Sequence, residues 1–220
     1  MASRATIEST LQALFDAERA VRAAHDDLAD ADPAEVLPVL ERATRQALEL
    51  DDIDEDEASL RLVRTAAILG EMQGARVVDL LIDILGSDEP EARRSAGEAL
   101  SELTFDRFKE VAVGIERALA RLPNGSPALA ELPYLLAEVQ EPGAIKLLGR
   151  FLEHRDADAV AAAIEALVEL GDPAALPLVS SLAGDPRQVE LEDEGGTEGE
   201  ATIGELVEEA QAILSKARSA

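Results

Sequence analysis

Five short stretches of this chain superimpose, and that periodicity constrains the fold more than any other feature. Ala67-Ile68-Leu69-Gly70-Glu71-Met72, Glu98-Ala99-Leu100-Ser101-Glu102-Leu103, Tyr134-Leu135-Leu136-Ala137-Glu138-Val139 and Glu165-Ala166-Leu167-Val168-Glu169-Leu170 all read Leu, small or apolar, Glu, apolar. Ala212-Ile213-Leu214-Ser215-Lys216-Ala217 repeats the pattern with Lys in place of Glu. The leucines at 69, 100, 136, 167 and 214 are spaced by 31, 36, 31 and 47 residues, the last interval holding one 31-residue unit and 16 further residues. Self-similarity at this period marks a chain of stacked supersecondary units, each too small to bury its apolar face alone.

Each unit divides into two helices. The first ends on the shared motif, and the second follows a break such as Gly74, Glu141-Pro142-Gly143 or Gly171-Asp172-Pro173. Asp before Pro suits a helix start, because the carboxylate accepts from free N–H groups and Pro lacks one. Asp32-Pro33-Ala34-Glu35 follows that logic, and Ser87-Asp88-Glu89-Pro90 and Gly184-Asp185-Pro186 mark further expected starts. Phe108, Val111, Ile115, Leu119 and Leu122 fall three or four apart on one helical stripe. Aromatic residues make up 2% of the chain and Trp is absent, so Ala, Leu, Val and Ile must build the core. No stretch alternates in a way that demands a strand.

Glu91-Ala92-Arg93-Arg94-Ser95-Ala96-Gly97-Glu98-Ala99-Leu100, together with the turn Gly171-Asp172-Pro173-Ala174-Ala175, resembles the HEAT-repeat family, in particular its short form related to phycobilisome-lyase repeats. The resemblance runs from about Ala58 to Gly184 and implies an all-α superhelix, a HEAT-repeat solenoid of about eleven helices. Residues 1–57 are expected to form an N-terminal helical hairpin (5–31 and 33–50) with an acidic linker, and 58–184 four repeats. Residues 185–200 are expected to be an exposed acidic loop dispensable for folding, and 201–220 a capping helix that buries Ile203, Leu206, Val207, Ala210, Ile213 and Leu214.

The formal charge of −26 argues against nucleic acid as a partner, since affinity for phosphate backbones rests on Lys and Arg. An acidic surface of this kind serves either solubility or recognition. The recurring Glu71, Glu102, Glu138 and Glu169 are open to two readings: a carboxylate column for binding, or caps on the N–H groups of the following helix, which is the preferred one. Residues 107–155 depart from the overall charge, with seven bases against six acids. Arg107, Lys109, Arg117, Arg121, Lys146 and Arg150 fall on the second helices of adjacent repeats. In HEAT solenoids those helices usually line the concave surface, so the resemblance puts the six in the groove as candidate partner-binding residues. The alternative is intrahelical pairing with Glu110, Glu116 and Glu153.

Chemistry-bearing motifs are sparse. There is no Walker loop, no nucleophile elbow and no cysteine, and His25 and His154 have no ligand partners at metal spacing. Asp52, Asp54 and Asp56 imitate the start of a calcium loop, but Glu57 and Val63 stand where Gly and Glu are needed. The function expected is therefore a non-catalytic scaffold or adaptor with a protein partner in the groove, no cofactor, no metal and no membrane span, in the cytoplasm. The alternatives are a bilin-lyase-like or other chaperone or enzyme accessory protein, or an acidic DNA-mimic inhibitor.

Overall fold

The computed structural model describes residues 3–139, 141–192 and 198–217. Its elements are α1 (Arg4–Ala29), α2 (Pro33–Leu48), α3 (Glu55–Gly70), α4 (Ala75–Leu85), α5 (Pro90–Arg121), α6 (Pro127–Ala137), α7 (Pro142–Leu152), α8 (Ala157–Leu170) and α9 (Ala175–Ser180), then β1 (Gln188–Glu192), β2 (Glu198–Thr202) and α10 (Ile203–Ala217). α5 is two helices joined at Arg107, whose φ of −139° and ψ of 46° break the spiral. Among the described residues this makes eleven helical segments in an all-α superhelix, as the repeats require.

The helices stack in two layers. α3, the first half of α5, α6, α8 and α10 pack in succession, and α2, α4, the second half of α5, α7 and α9 form the other row. The register leucines explain why the units stack. Leu69, Leu100, Leu136, Leu167 and Leu214 are all fully buried, and Thr65, Ala96, Leu132, Ala163 and Ala210, one turn earlier, are buried with them. Small residues set the spacing between neighbouring helices of a layer. Gly70 sits so close to α5 that an added Cβ would lie 3.1 Å from Cβ of Ala99. Among the described residues no helix is long and apolar enough to cross a membrane.

Three sequence expectations need correction. Gly184-Asp185-Pro186 does not start a helix, and residues 185–200 are not simply a loop. Asp185 instead accepts from the Arg187 N–H, and β1 pairs antiparallel with β2, Val189 opposite Ala201. β1 packs on α8 and buries Val189 to 4% exposure, because one face of the ribbon meets the solenoid. The intervening residues 193–197 lie outside the described residues. Second, the N-terminal end of the core is closed by α2, through Val36, Leu40, Thr44 and Ala47, whereas α1 buries no side chain at all. Third, Ile213 of the C-terminal helix remains 43% exposed, while Ile203, Val207, Ala210 and Leu214 are buried as expected.

Candidate functional site

The two layers carry charge in opposite ways. On the second helices, an acid of one helix meets a base of the next. Arg76 on α4 pairs with Glu41 on α2. Arg117 on α5 directs Nε and Nη2 at Oδ1 of Asp79 on α4, at 3.1 and 2.8 Å. Its Nη2 also donates to the Ala75 carbonyl. Arg121 pairs with Asp83, and Arg150 on α7 lies 3.9 Å from Glu116 on α5. Glu41 is held below the usual carboxylate range, chiefly by its hydrogen bond from Arg76.

Arg107 and Glu110 close the turn between α3 and α4 instead. Arg107 donates to the Met72 carbonyl at 2.9 Å, and Glu110 accepts from the Gly74 N–H at 2.7 Å. The pair thus satisfies one carbonyl after α3 and one N–H before α4 that the helices leave free. Of the six bases singled out in the sequence, only the Arg107–Glu110 pair, at 3.7 Å, is intrahelical; Arg117, Arg121 and Arg150 pair across helices. Lys109 and Lys146 are exposed and have no ion pair among the described residues.

The first helices show the reverse. Glu71, Glu98, Glu102, Glu131, Glu138, Glu165 and Glu169 are all exposed on α5, α6 and α8 and at the end of α3. The recurring glutamates do not cap the following helices: Gly74 bonds Glu110, and the N-cap of α7, Glu141, makes no side-chain bond. Glu71 meets His25 of α1 at 2.9 Å, Glu138 accepts from the Ser101 hydroxyl, and Glu165 accepts from the Tyr134 hydroxyl. Glu102 and Glu169 have no cation in reach among the described residues. The capping reading fails because these glutamates lie exposed and make none of the cap bonds of the helices that follow.

Arg64, Arg93 and Arg94 are the arginines on this face. Arg93 lies 3.4 Å from Glu131 and donates to the Ser87 carbonyl, and Arg94 lies 3.8 Å from Glu98. A cleft between α5 and α6 is lined by Glu98, Glu102, Glu131 and Glu138 together with Arg93 and Arg94, and by Gly97, Tyr134 and Leu135. Burial pushes the Tyr134 phenol up, and the bond to Glu165 and the charges of Glu165 and Glu169 push it further. Beyond it, between α8 and α10, Ile164, Val168, Leu206 and Ile213 floor a crevice rimmed by Glu165, Glu169 and Glu209. An apolar floor with a carboxylate rim suits a side chain that has an aliphatic stem and a cationic tip.

Among the described residues no three His, Cys, Asp or Glu side chains come together to hold a metal ion. His25 is tied to Glu71, and His154 accepts the Asp156 N–H at 3.2 Å in the turn before α8. Asp54 of the imitation calcium loop accepts from the Glu57 N–H as the N-cap of α3.

Comparison with known proteins bears on both fold and function. Residues 130–192 match the family model for HEAT repeats, so the repeat units within that span are of that type. A human deoxyhypusine hydroxylase is 31% identical over 118 residues, which is 45% of this chain and 38% of the relative. The chain thus spans well under half the length of the curated relative it matches. Among solved structures, an engineered protein aligns with 16% identity and a TM-score of 0.35, covering 89% of this chain and 90% of its own. Human deoxyhypusine hydroxylase in complex with glycerol aligns with 16% identity and a TM-score of 0.34, covering 94% and 98%. These superpositions are loose, and the fold rests on the chain's own repeats. The sequence relative is an enzyme, and the expectation of a non-catalytic scaffold is withdrawn on that finding.

Proposed function

We propose that the protein recognises a cationic, amine-bearing protein segment along the carboxylate ridge of its first helices. The observation that carries this reading is the division of charge between the layers. Glu41, Asp79, Asp83 and Glu116 on the second helices each pair with a base of a neighbouring helix, whereas the seven glutamates of the first helices share three arginines, Arg64, Arg93 and Arg94, and three acids of that layer line a crevice with Ile164, Val168, Leu206 and Ile213. A lysine-like side chain laid in the crevice between α8 and α10 would bury its methylenes against Ile164, Val168 and Leu206 and bring its ammonium to Glu165, Glu169 and Glu209. The sequence relative is named for deoxyhypusine, and a shared taste for a modified or basic side chain of a protein partner is in keeping with that kinship.

The hydroxylation named for that relative requires an oxygen-activating centre, for which iron commonly takes two histidines and a carboxylate. The described residues do not supply such a set, because His25 and His154 are each engaged elsewhere and no third donor joins either. No hydroxylation step follows from these side chains, and the reading concerns recognition.

Fluorescence anisotropy with a labelled peptide of alternating Lys and Gly tests the reading, with the fully acetylated peptide as control. The variant Glu165→Gln, Glu169→Gln, Glu209→Gln should weaken binding by about tenfold or more, since each contact to a charged partner contributes roughly 0.5–1.5 kcal/mol. Equal affinity for wild type and variant, or for the acetylated peptide, would exclude the ridge as a recognition surface.

A further inference from the structure

α1 is the one long helix among the described residues whose apolar side chains have no cover. Ile7, Leu11, Leu14, Phe15, Val21 and Leu28 are 37–62% exposed, and no residue of α1 is buried. Only the C-terminal part is tied to the solenoid, through the His25–Glu71 contact and packing on α3. The stripe is not random: positions 7, 11, 14, 18, 21, 25 and 28 alternate spacings of four and three, which is the seven-residue repeat of a coiled-coil seam. Ile7, Leu14, Val21 and Leu28 occupy one seam position in every heptad, and Leu11 the other in one of them.

We infer that α1 pairs with α1 of a second copy of this chain as an antiparallel coiled coil. Charge points to a second copy. The whole chain carries −26, and an acidic solenoid repels its twin, but residues 4–22 hold Arg4, Arg19 and Arg22 against Glu8, Asp16 and Glu18 and are neutral. Association is therefore least opposed at the free end of this helix. Charge also sets the direction. A parallel pair would stack Glu18 on Glu18 and Arg4 on Arg4 in the seam. An antiparallel pair centred near residue 16 places Leu11 opposite Val21 and Leu14 opposite Glu18, whose carboxylate Arg22 already holds at 3.2 Å. The same register sets Glu8 beside Arg22 of the other copy and Phe15 beside its own counterpart.

Size is adequate. Twenty-six helical residues extend about 39 Å. The six apolar side chains offer roughly 500 Å² per copy, and with the flanking small residues the pair reaches the ~1,200 Å² where specific interfaces begin.

Cysteine pairing tests the arrangement, because the chain has no cysteine of its own and α1 contributes nothing to the core. Light scattering on the full chain should give twice the monomer mass at high micromolar concentration, and Leu11→Glu with Leu14→Glu should return it to the monomer with unchanged helicity and melting temperature. Leu11→Cys mixed with Val21→Cys should cross-link under mild oxidation, while each variant alone should not. A monomeric wild type would overturn the inference. Cross-linking of Leu11→Cys with itself would overturn the antiparallel register in favour of a parallel one.

Discussion

Gly114→Ala sets two opposing effects against each other. An alanine in a helix interior ordinarily stabilises by about 1 kcal/mol over glycine, by restricting the unfolded chain. At Gly114 the new Cβ would overlap Cγ1 of Val78 and lie 3.2 Å from its Cβ. Val78 is on α4 and 1% exposed. Its branched side chain has one favoured rotamer in a helix, so it cannot turn aside, and α4 and α5 would have to separate. Overpacking of this kind costs about 2–3 kcal/mol, which outweighs the propensity gain and leaves a net loss of about 1–2 kcal/mol. Thermal melting followed at 222 nm should show a fall of about 3–6 °C. Val78→Ala removes the clashing methyls. Alone it should cost about 2 kcal/mol, and the double variant should be more stable than the sum of the single losses by about 2 kcal/mol. A Gly114→Ala protein that melts above the wild type would refute the reasoning, because propensity would then have won and α4 and α5 would be packed less closely than the Gly114–Val78 contact requires.

Three other outcomes follow from the same geometry. Tyr134 is the sole tyrosine, so phenolate absorbance at 295 nm reports it alone; its midpoint should lie above the ordinary value of 10 and fall toward it in Glu165→Gln. With the folded-state value raised, the stabilisation tied to the neutral phenol is complete below pH 10 and is lost as pH rises beyond it. Replacing residues 190–200 with a short Gly/Ser linker should move the melting temperature by no more than a few degrees, whereas Val189→Ala should cost about 2 kcal/mol; denaturation of both variants separates the tip of the ribbon from its buried base. Arg187→Ala should lower stability near pH 7, since Arg187 donates to the His154 carbonyl at 2.8 Å and to Asp185. Asp185 is held below the usual carboxylate range by the Arg187 hydrogen bond, so the part of the gap due to that pair is present above about pH 4 and is lost as the pH falls through its lowered value; the gap should narrow to what the carbonyl bonds contribute, which acid titration of both proteins would check.

The solenoid was legible because its signal is apolar and repeated. Any one leucine of the motif is uninformative, but five at the same place in successive units specify a buried column, and all five are buried. The ribbon was not legible. Val189 and Leu191 alternate with Gln188 and Glu190 over too few residues to register as a strand among so many acids, and Gly184-Asp185-Pro186 has the same residues as the helix-opening Gly171-Asp172-Pro173. What differs lies far away in sequence, where the His154 and Arg155 carbonyls accept from Arg187 and turn the chain back. The ion pairs between second helices were equally out of reach, since Asp79 and Arg117 are 38 residues apart and nothing local couples them. The heptad on α1, by contrast, stood in the sequence throughout. An apolar stripe of this spacing is shared by a helix that packs on its own chain and one that packs on another, so the stripe alone does not separate the two.

Net charge alone does not distinguish a solubility adaptation from a recognition surface; the pairing pattern carries more. A chain selected only for solubility has no reason to place the acids of four of its five interhelical arginine pairs on one layer. Here Glu41, Asp79, Asp83 and Glu116 on the second helices each meet a base from a neighbouring helix. On the first helices Arg93–Glu131 is the comparable pair, and Glu102 and Glu169 are left to solvent. Carboxylates gathered on one face repel each other over a Debye length of about 8 Å at physiological salt, and a bound cation relieves that repulsion as well as adding its own contacts. The same layer that stiffens the solenoid by cross-repeat pairing therefore leaves the other layer with the surplus charge. Binding to a cationic segment should accordingly weaken with added salt, while the stability of the stacked second helices, whose pairs are partly buried, should respond less.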